Sequence, residues 1–281
     1  DERGCELYDD ITRLEEYYPF RSERQILRNH AKDIVRVAEP DTLVELGSGT
    51  SEKTRFILDA MTMPATYVPF DVAESTLRDA GNALIEEYSG LDVHGIVGDF
   101  NNDLVHLPKE GKQLIALLGS TIGNFSPEAR ADLLATLRGG MTEGDTFLLG
   151  TDLQKDRHRL VAAYDDAQGV TAAFNLNVLA RLNRELGANF DLDMFRHVAL
   201  YNDDENWIEM RLVSLTAQKV RVDALDLEVA FTEGESIRTE ISAKFTPDGV
   251  NRELVASGMR VLDQWTDDGG DFLLTLAGVT T

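Results

Sequence analysis

The sequence has almost no cysteine and no long apolar segment. Cys5 is the single cysteine among 281 residues, so an internal disulfide cannot form, which is typical of a reducing compartment. Every hydrophobic run is shorter than the roughly 18–20 residues that a membrane-spanning helix needs. We therefore expect a cytoplasmic protein without a membrane partner.

Basic residues and metal-ligand patterns are also scarce. The 27 lysines and arginines are outnumbered by 50 acidic residues, which gives a net charge of −23. Such a charge repels phosphate backbones, so a nucleic-acid partner is not expected, while the acidic surface itself mostly serves solubility. No metal is expected either, because the five histidines are scattered without ligand spacing. They are His30, His94, His106, His158 and His197.

Short apolar segments alternate with helical patterns in the first half of the chain. Segments 114–118 and 147–149 contain only apolar residues, as expected of strands that are buried on both faces. This alternation predicts an α/β fold with a doubly wound parallel sheet. The predicted strands are 42–46, 67–70, 93–97, 114–118 and 147–149, and the predicted helices are 52–61, 74–88 and 127–137.

The pattern changes after Thr151, where strand-like segments follow one another without intervening helices. A helix and two strands that could extend the first sheet return near the C-terminus. We therefore predict a sheet domain of 22–152 plus 245–281, with an α+β unit of 1–21 plus 153–244 inserted in it. The supporting segments are helices 157–167, 171–186 and 247–257, and strands 197–201, 207–218, 227–231, 236–245, 259–265 and 272–277.

The sequence ELGSGT at 45–50 joins the first predicted strand to a helix. Residues 45–54 do not supply the Gly-x-x-x-x-Gly-Lys-Ser/Thr of a phosphate-binding P-loop, and Glu52 stands where a dinucleotide fingerprint has its third glycine. An acidic residue followed by Gly-x-Gly is similar to the nucleoside-binding loop of class I methyltransferases that use S-adenosylmethionine (SAM). The alternative is a plain turn.

Further polar residues follow the next two predicted strands. Asp71, 24 residues after Gly47, could accept hydrogen bonds from both ribose hydroxyls. Asp99 could accept from an adenine amino group, and the backbone N–H beside it could donate to a ring nitrogen. Lys53 could bind the methionine carboxylate of SAM. As alternatives, Asp71 caps a helix, Asp99 is a turn residue and Lys53 is solvated.

Seven further motifs carry a more specific resemblance, which runs from about Leu7 to the C-terminus. Together they closely resemble the actinobacterial type of the histidine-specific SAM-dependent methyltransferases of ergothioneine biosynthesis. The resemblance implies transfer of three methyl groups from SAM to the α-amine of L-histidine, giving hercynine. It also implies that the sheet domain binds SAM and that the inserted unit binds the substrate. The motifs are ITRLEEYYPFRSERQIL, LVELGSGTSEKT, PFDV, GDF, LGSTIGNF, AYDDAQGVTAAFNLNVL and TEISAKF.

The resemblance also implies roles for individual residues. The implied cofactor contacts are Gly47, Lys53, Asp71, Asp99 and Phe100. The implied contacts to the amino and carboxylate groups of histidine are Tyr17, Asn124 and Tyr164, with Asn124 and Tyr17 positioning the amine. Glu240, Ile241 and Ser242 are implied to bind the imidazole, and Met210 to form a pocket wall. A further substrate-contacting tyrosine is expected upstream of Asp1, and no general base is assigned.

The chemistry of these residues agrees with the implied roles. Asn124 follows the fourth predicted strand, where its amide could orient an acceptor, although asparagine in a glycine-rich turn is often only a turn residue. In 236–245 polar residues alternate with apolar ones, so on a strand Glu240 and Ser242 would share a face. They could pair with the two ring nitrogens of histidine, or the face could simply be solvated. Tyr17 and Tyr164 could equally be packing residues.

Two rival functions stay open. One is methylation of a tryptophan-type amino acid, against which an acid at Glu240 and the wall residue Met210 argue, because an indole would suit a smaller wall. The other is a SAM-binding protein without turnover. We expect a monomer that acts on free L-histidine.

Overall fold

A computed structural model of the chain describes residues 1–63, 65–100, 103–107 and 111–280. The chain forms two compact units, of which unit 1 comprises residues 1–18 and 155–244, and unit 2 comprises residues 19–154 and 245–281. The observed boundaries lie at 18/19, 154/155 and 244/245, compared with the predicted 21/22, 152/153 and 244/245.

Most helices within the described residues follow the predicted segments, but the predicted helix 157–167 ends at Ala162, and the predicted helix 52–61 is shortened to Thr54–Leu58. Ser126 caps α5, since its Oγ accepts the N–H of Ala129 at 3.3 Å. The two N-terminal helices were not anticipated from the sequence. The helices are α1 (Glu2–Arg13), α2 (Tyr18–Ala38), α3 (Thr54–Leu58), α4 (Glu74–Glu87), α5 (Pro127–Gly140), α6 (Arg157–Ala162), α7 (Val170–Leu186) and α8 (Pro247–Ala256).

The strands of the described residues fall into one large and two small sheets. They are β1 (Thr42–Leu46), β2 (Ala65–Asp71), β3 (Leu91–Val93), β4 (Ile96–Val97), β5 (Gln113–Leu117), β6 (Thr146–Asp152), β7 (Phe195–Asn202), β8 (Trp207–Ser214), β9 (Gln218–Val222), β10 (Leu227–Phe231), β11 (Ser236–Ala243), β12 (Met259–Thr266) and β13 (Phe272–Val279).

Unit 2 contains the large sheet, whose order is β12-β13-β6-β5-β1-β2-β3, with β4 also paired to β2. Strands β6, β5, β1, β2 and β3 run parallel, while β13 and β12 are antiparallel additions at one edge. The central strands β1 and β5 are buried at every residue, as expected of parallel strands that are covered on both faces. The predicted doubly wound parallel sheet is therefore confirmed.

The predicted strand 93–97 is wrong as one element, because it divides into β3 and β4. The chain leaves the sheet at His94 and Gly95 and returns at Ile96. A Cβ on Gly95 would overlap Leu77 Cδ2 of α4, so any other residue here would force the Leu77 side chain to move.

Unit 1 contains a three-stranded antiparallel sheet of order β11-β8-β7 and a separate β9–β10 hairpin. Its core is an apolar cluster to which α7 contributes Leu179, together with Phe190, Phe195, Leu212, Val220 and Phe231. The predicted strand 207–218 is wrong as one element. It ends at Ser214, whose Oγ donates to the carbonyl of Thr216 at 2.8 Å, and the chain re-enters a strand at Gln218.

One prediction concerns Gly150 in the middle of β6. An added Cβ would overlap Glu23 Oε1 and lie 3.2 Å from Phe272 Cε1, and both side chains are fully buried. Gly150→Ala should therefore lower the free energy of unfolding by about 1–3 kcal/mol, measured by urea unfolding. The matched control is Gly139→Ala in the exposed last turn of α5, where a Cβ meets no described atom within 4 Å. Gly139→Ala should raise the free energy of unfolding by about 0.5–1 kcal/mol. Equal stability of the two variants would contradict the close approach at Gly150.

Candidate functional site

The glycine loop after β1 is tied to the end of β2. Gly47 and Gly49 have φ values of 71° and 50°, in the left-handed region that favours glycine. The N–H of Gly47 donates to the carbonyl of Phe70 at 2.8 Å. A Cβ on Gly49 would meet no described atom within 4 Å, so the loop has open space on this side. The loop therefore presents bare backbone next to a space.

Asp71 ends β2 beside this loop. Its Oδ2 accepts the N–H of Gly49 at 3.0 Å, and its Oδ1 accepts the N–H of Ala73 at 3.0 Å. The residue is half-buried, and each carboxylate oxygen has a second lone pair for a ligand hydroxyl. Ala73, not Asp71, is the N-cap of α4, so the alternative that Asp71 caps this helix is wrong.

Phe100 lies over the glycine loop. A Cβ on Gly47 would be 3.6 Å from its ring, and the ring stacks on Phe70 with centroids 5.8 Å apart. The neighbouring Asp99 follows β4, and its N–H donates to Asp103 Oδ2 at 2.9 Å. The structure thus brings Gly47, Asp71 and Phe100 together at the carboxyl ends of the strands, where ligands bind in open α/β sheets.

The loop has features that fit a nucleoside ligand. Ser48 Oγ is buried without a hydrogen-bond partner among the described residues, which leaves a polar atom for a ligand to satisfy. Beneath the loop, the Glu45 carboxylate accepts hydrogen bonds from Thr54 and from Tyr67, the latter at 2.6 Å. Burial raises the pKa of Glu45 to about 7, against the effect of these two hydrogen bonds. Glu45 is therefore a support for the loop, while the open backbone and Ser48 fit SAM.

Lys53 donates to a fully buried carboxylate, that of Glu23 on α2. Both oxygens of Glu23 also accept the N–H of Gly119 at 2.9 Å, just past β5. The ammonium of Lys53 lies 5.2 Å from the centroid of the Phe20 ring. This arrangement excludes a fully solvated Lys53 and fixes its amine near the sheet edge.

Asn124 ends a short 3₁₀ helix, Thr121–Asn124, that follows β5. The turn into it is fixed by Ser120, which has a φ of 58° and whose Oγ accepts the N–H of Asp152 at 3.0 Å. Asn124 itself is exposed. Its amide is therefore accessible on a loop whose backbone is held in place.

In unit 1 a β-bulge determines which way Glu240 points. Arg238 pairs with Arg211 of β8, but Glu240 pairs with Met210, so Thr239 is an extra residue in β11. Because directly paired residues share a face, Arg238 lies with Arg211, whereas Glu240 lies with Met210 on the opposite face. The regular alternation predicted over 236–245 is therefore interrupted. The bulge separates Glu240 from the two arginines.

Glu240 and Ser242 share this second face, as predicted. Glu240 is half-buried, and loss of solvation raises its pKa to about 7, although the nearby Lys244 ammonium acts in the opposite direction. Ile241 pairs with Glu209, so its side chain lies on the other face and only its backbone is near Glu240 and Ser242.

Three polar groups form a buried cluster beside Glu240. The hydroxyls of Tyr164 and Ser242 are 2.8 Å apart, and the Lys244 ammonium donates to each of them at 2.9 Å. The ring of Tyr17 meets that of Tyr164 edge-on, with centroids 6.1 Å apart. Burial, with smaller effects from Tyr8, Tyr164 and Glu240, raises the pKa of Tyr17 well above its usual value. Unit 1 thus brings together Tyr17, Tyr164, Met210, Glu240 and Ser242.

The sequence reasoning missed two of the charged groups in these sites. Glu23 gave no signal, because a glutamate within an amphipathic helix is usually solvated. Lys244 did follow the alternation of Glu240 and Ser242, but a lysine at the end of a strand is seldom buried.

The sequence matches the family model described as "Histidine-specific methyltransferase, SAM-dependent" over residues 1–279. It is 56% identical to a protein named Histidine N-alpha-methyltransferase from Mycolicibacterium smegmatis and 52% identical to one of the same name from Mycobacterium tuberculosis. Each match covers 98% of this chain and 86% of the relative. A protein from Schizosaccharomyces pombe named Ergothioneine biosynthesis protein 1 is 32% identical, over 73% of this chain and 28% of its own length.

The fold also resembles that of a solved SAM-dependent methyltransferase from Clostridium acetobutylicum. The TM-score is 0.51 at 13% identity, and the match covers 90% of this chain and 92% of the other. At that identity the likeness concerns the fold alone. Because the family model spans nearly the whole chain and two relatives share more than half of its residues, this chain belongs to the histidine-specific, SAM-dependent methyltransferases.

Proposed function

We propose that this chain transfers three methyl groups from SAM to the α-amine of L-histidine, giving hercynine for ergothioneine biosynthesis. The observation that carries the choice of acceptor is the pair of Glu240 and Ser242, an acid and a hydroxyl on one strand face. A carboxylate can accept the N–H of a neutral imidazole, and a hydroxyl can donate to its other nitrogen. The names of the two mycobacterial relatives support the same acceptor.

Unit 2 would bind the methyl donor. Asp71 would accept from the ribose hydroxyls, Asp99 from the adenine amino group, and the ring of Phe100 would pack against the nucleoside. Gly47 would allow close approach of the backbone, and Lys53 would bind the methionine carboxylate as a point charge. The support is the placement of Gly47, Asp71 and Phe100 around one open loop.

Unit 1 would bind the imidazole, with Met210 as a wall directly opposite Glu240. Glu240 and Ser242 would act through their side chains and Ile241 through its backbone. Tyr17, Tyr164 and Asn124 would bind the amino and carboxylate groups of histidine. The bulge turns Glu240 away from Arg211 and Arg238, which supports its use for a directional hydrogen bond to an uncharged ring.

The reaction needs a neutral amine in line with an electrophilic methyl group, which the sulfonium of SAM supplies. Fixing the acceptor at both ends can contribute as much as about 7–11 kcal/mol of the barrier reduction. The raised pKa of Tyr17 keeps its phenol protonated near neutral pH, so Tyr17 can donate a hydrogen bond but not remove the proton. We assign removal of the amine proton to water. Asn124 and Tyr17 would position the amine.

We further propose that the protein acts on the free amino acid as a cytoplasmic monomer without metal, nucleic acid or membrane. The net charge of −23 supports the absence of anionic partners. Within the described ranges, no helix is long and apolar enough to span a membrane.

The function is tested by the product. Incubated with SAM and an equimolar mixture of histidine, tryptophan and tyrosine, the protein should yield histidine that carries three methyl groups, detected by mass spectrometry. Trimethylation is expected because the imidazole contacts can persist while the amine nitrogen changes. Methylated tryptophan as the main product would favour the indole-type rival, and SAM binding without any product would favour a non-catalytic protein.

The ribose assignment is tested by Asp71→Ala. Loss of hydrogen bonds to a charged acceptor costs about 1.5–3 kcal/mol each, so the Kd for SAM by calorimetry should rise at least tenfold. The control is Asp79→Ala, which removes the same charge from an exposed position of α4 and should leave the Kd for SAM within twofold of that of the unmodified protein. Equal affinities in the two variants would remove Asp71 from the site.

The imidazole assignment is tested by Glu240→Gln. The KM for histidine should rise at least tenfold while the KM for SAM changes less than twofold, because only the acceptor loses a charged partner. Since the pKa of Glu240 is about 7, its contribution to histidine affinity is present above pH 7 and lost as pH falls below it. In Glu240→Gln this part of the pH dependence, measured by calorimetry, should disappear.

Glu233→Gln, in the exposed turn before β11, is the matched control for charge and should leave both Michaelis constants unchanged. A similar rise in the KM values for histidine and SAM in Glu240→Gln would mean that the imidazole is bound elsewhere.

A further inference from the structure

Lys244 is a buried ammonium inside the cluster that the proposed function assigns to the substrate. We propose that Lys244 is a positioning residue that sets the direction of the hydrogen bonds in this cluster, so that Ser242 donates its proton to the imidazole. The inference rests on the proposed function, because it concerns how that site distinguishes the two ring nitrogens.

The placement follows from the strand. Glu240, Ser242 and Lys244 occupy alternate positions beyond the bulge, so they extend along one face. Lys244 and Ser242 are each only 3% exposed. The backbone N–H of Lys244 donates to the carbonyl of Asn206 at 2.8 Å, which fixes the main chain where the lysine leaves it.

The direction follows from counting protons. An ammonium carries three hydrogens and no lone pair, so the oxygens of both Tyr164 and Ser242 must accept from Lys244. The two hydroxyls also share one hydrogen bond, which uses one of their two protons. The remaining hydroxyl proton must be donated to a third group.

The chemistry of the two hydroxyls decides which of them donates outward. A phenol is far more acidic than an aliphatic alcohol, and the Lys244 ammonium, 4.5 Å from the centre of the Tyr164 ring, polarises that ring further. Tyr164 is therefore the donor within the pair, and Ser242 accepts twice and donates its own proton outward. Ser242 becomes a donor held in one orientation.

The fixed direction of the Ser242 hydrogen bond explains the preference for imidazole. A neutral imidazole has one N–H, which Glu240 accepts, and one bare nitrogen, which accepts from Ser242. An indole has an N–H but no bare nitrogen, so it would leave the Ser242 proton without an acceptor. Lys244 thus selects one tautomer of histidine without touching the ring.

The test is a double-mutant cycle on kcat/KM for histidine with Lys244→Met, Ser242→Ala and the double variant. Each single variant should raise the KM for histidine at least tenfold, with the KM for SAM within twofold. If Lys244 acts through the Ser242 proton, adding Lys244→Met to Ser242→Ala should change kcat/KM less than twofold. A purely structural lysine would cost its full effect in both backgrounds, and multiplicative losses would overturn the proposal.

Controls separate this inference from misfolding and from the proposed function. Lys219→Met removes an exposed lysine that pairs with Glu228 and should leave both KM values unchanged. Urea unfolding followed by near-UV circular dichroism reports whether each variant is folded, and Lys244→Gln replaces Lys244→Met if the latter does not fold. The amide oxygen of glutamine can accept a hydrogen bond, so a glutamine does not force both hydroxyls to accept. The KM for histidine of Lys244→Gln should therefore also rise at least tenfold.

Failure of the unmodified protein to methylate histidine contradicts the proposed function, whereas normal turnover with an unchanged KM in the Lys244 variants contradicts only this inference.

Discussion

A charged side chain removed from water has to find hydrogen-bond partners within the protein, and this constraint shapes both candidate sites. Glu23 is fully buried and is satisfied by the amine of Lys53 and the backbone N–H of Gly119. Lys244 is buried and donates to Tyr164 and Ser242. In each case the buried charge fixes the orientation of groups that the proposed chemistry uses. The free-energy cost of removing the charge from water is therefore offset by a site whose polar groups are already oriented for the ligand.

The buried carboxylate of Glu23 also explains a feature of the sheet that is distant in sequence. Gly150 lies where any Cβ would overlap that carboxylate, so a larger residue in the middle of β6 would displace Glu23. The same carboxylate connects Lys53 with Gly119, at the start of the loop that leads to Asn124. A residue proposed to bind the cofactor and the loop proposed to orient the acceptor therefore share one anchor within unit 2.

The sequence was sufficient for the parts of the structure that depend on local pattern. The buried runs of β1 and β5 and the alternation with helices predicted the parallel sheet, and the spacing from Gly47 to Asp71 predicted their proximity at the strand ends. Residue pairs that depend on long-range packing could not be predicted in this way. The salt bridge of Glu23 with Lys53 joins a helix to a loop 30 residues later, and no periodicity records it. The break at Gly95 required knowledge of how closely α4 approaches.

The bulge at Thr239 is the strongest example of what pattern alone cannot give. In a regular strand Glu240 would share a face with Arg238 and would lie directly opposite Glu209 of β8, next to Arg211, so it would be part of the charged cluster on that face. Glu209, which does lie on that face, has a pKa lowered to about 2, with hydrogen bonds from Trp207, Arg211 and Asn202 outweighing its burial.

The single extra residue moves Glu240 to the face of Met210, away from the arginines, where loss of solvation raises its pKa to about 7. Two glutamates on neighbouring strands thus have opposite pKa shifts because of one inserted backbone unit. A carboxyl that is not already neutralised by arginine can accept from an uncharged ring, so the bulge is what makes Glu240 available to a ligand at all.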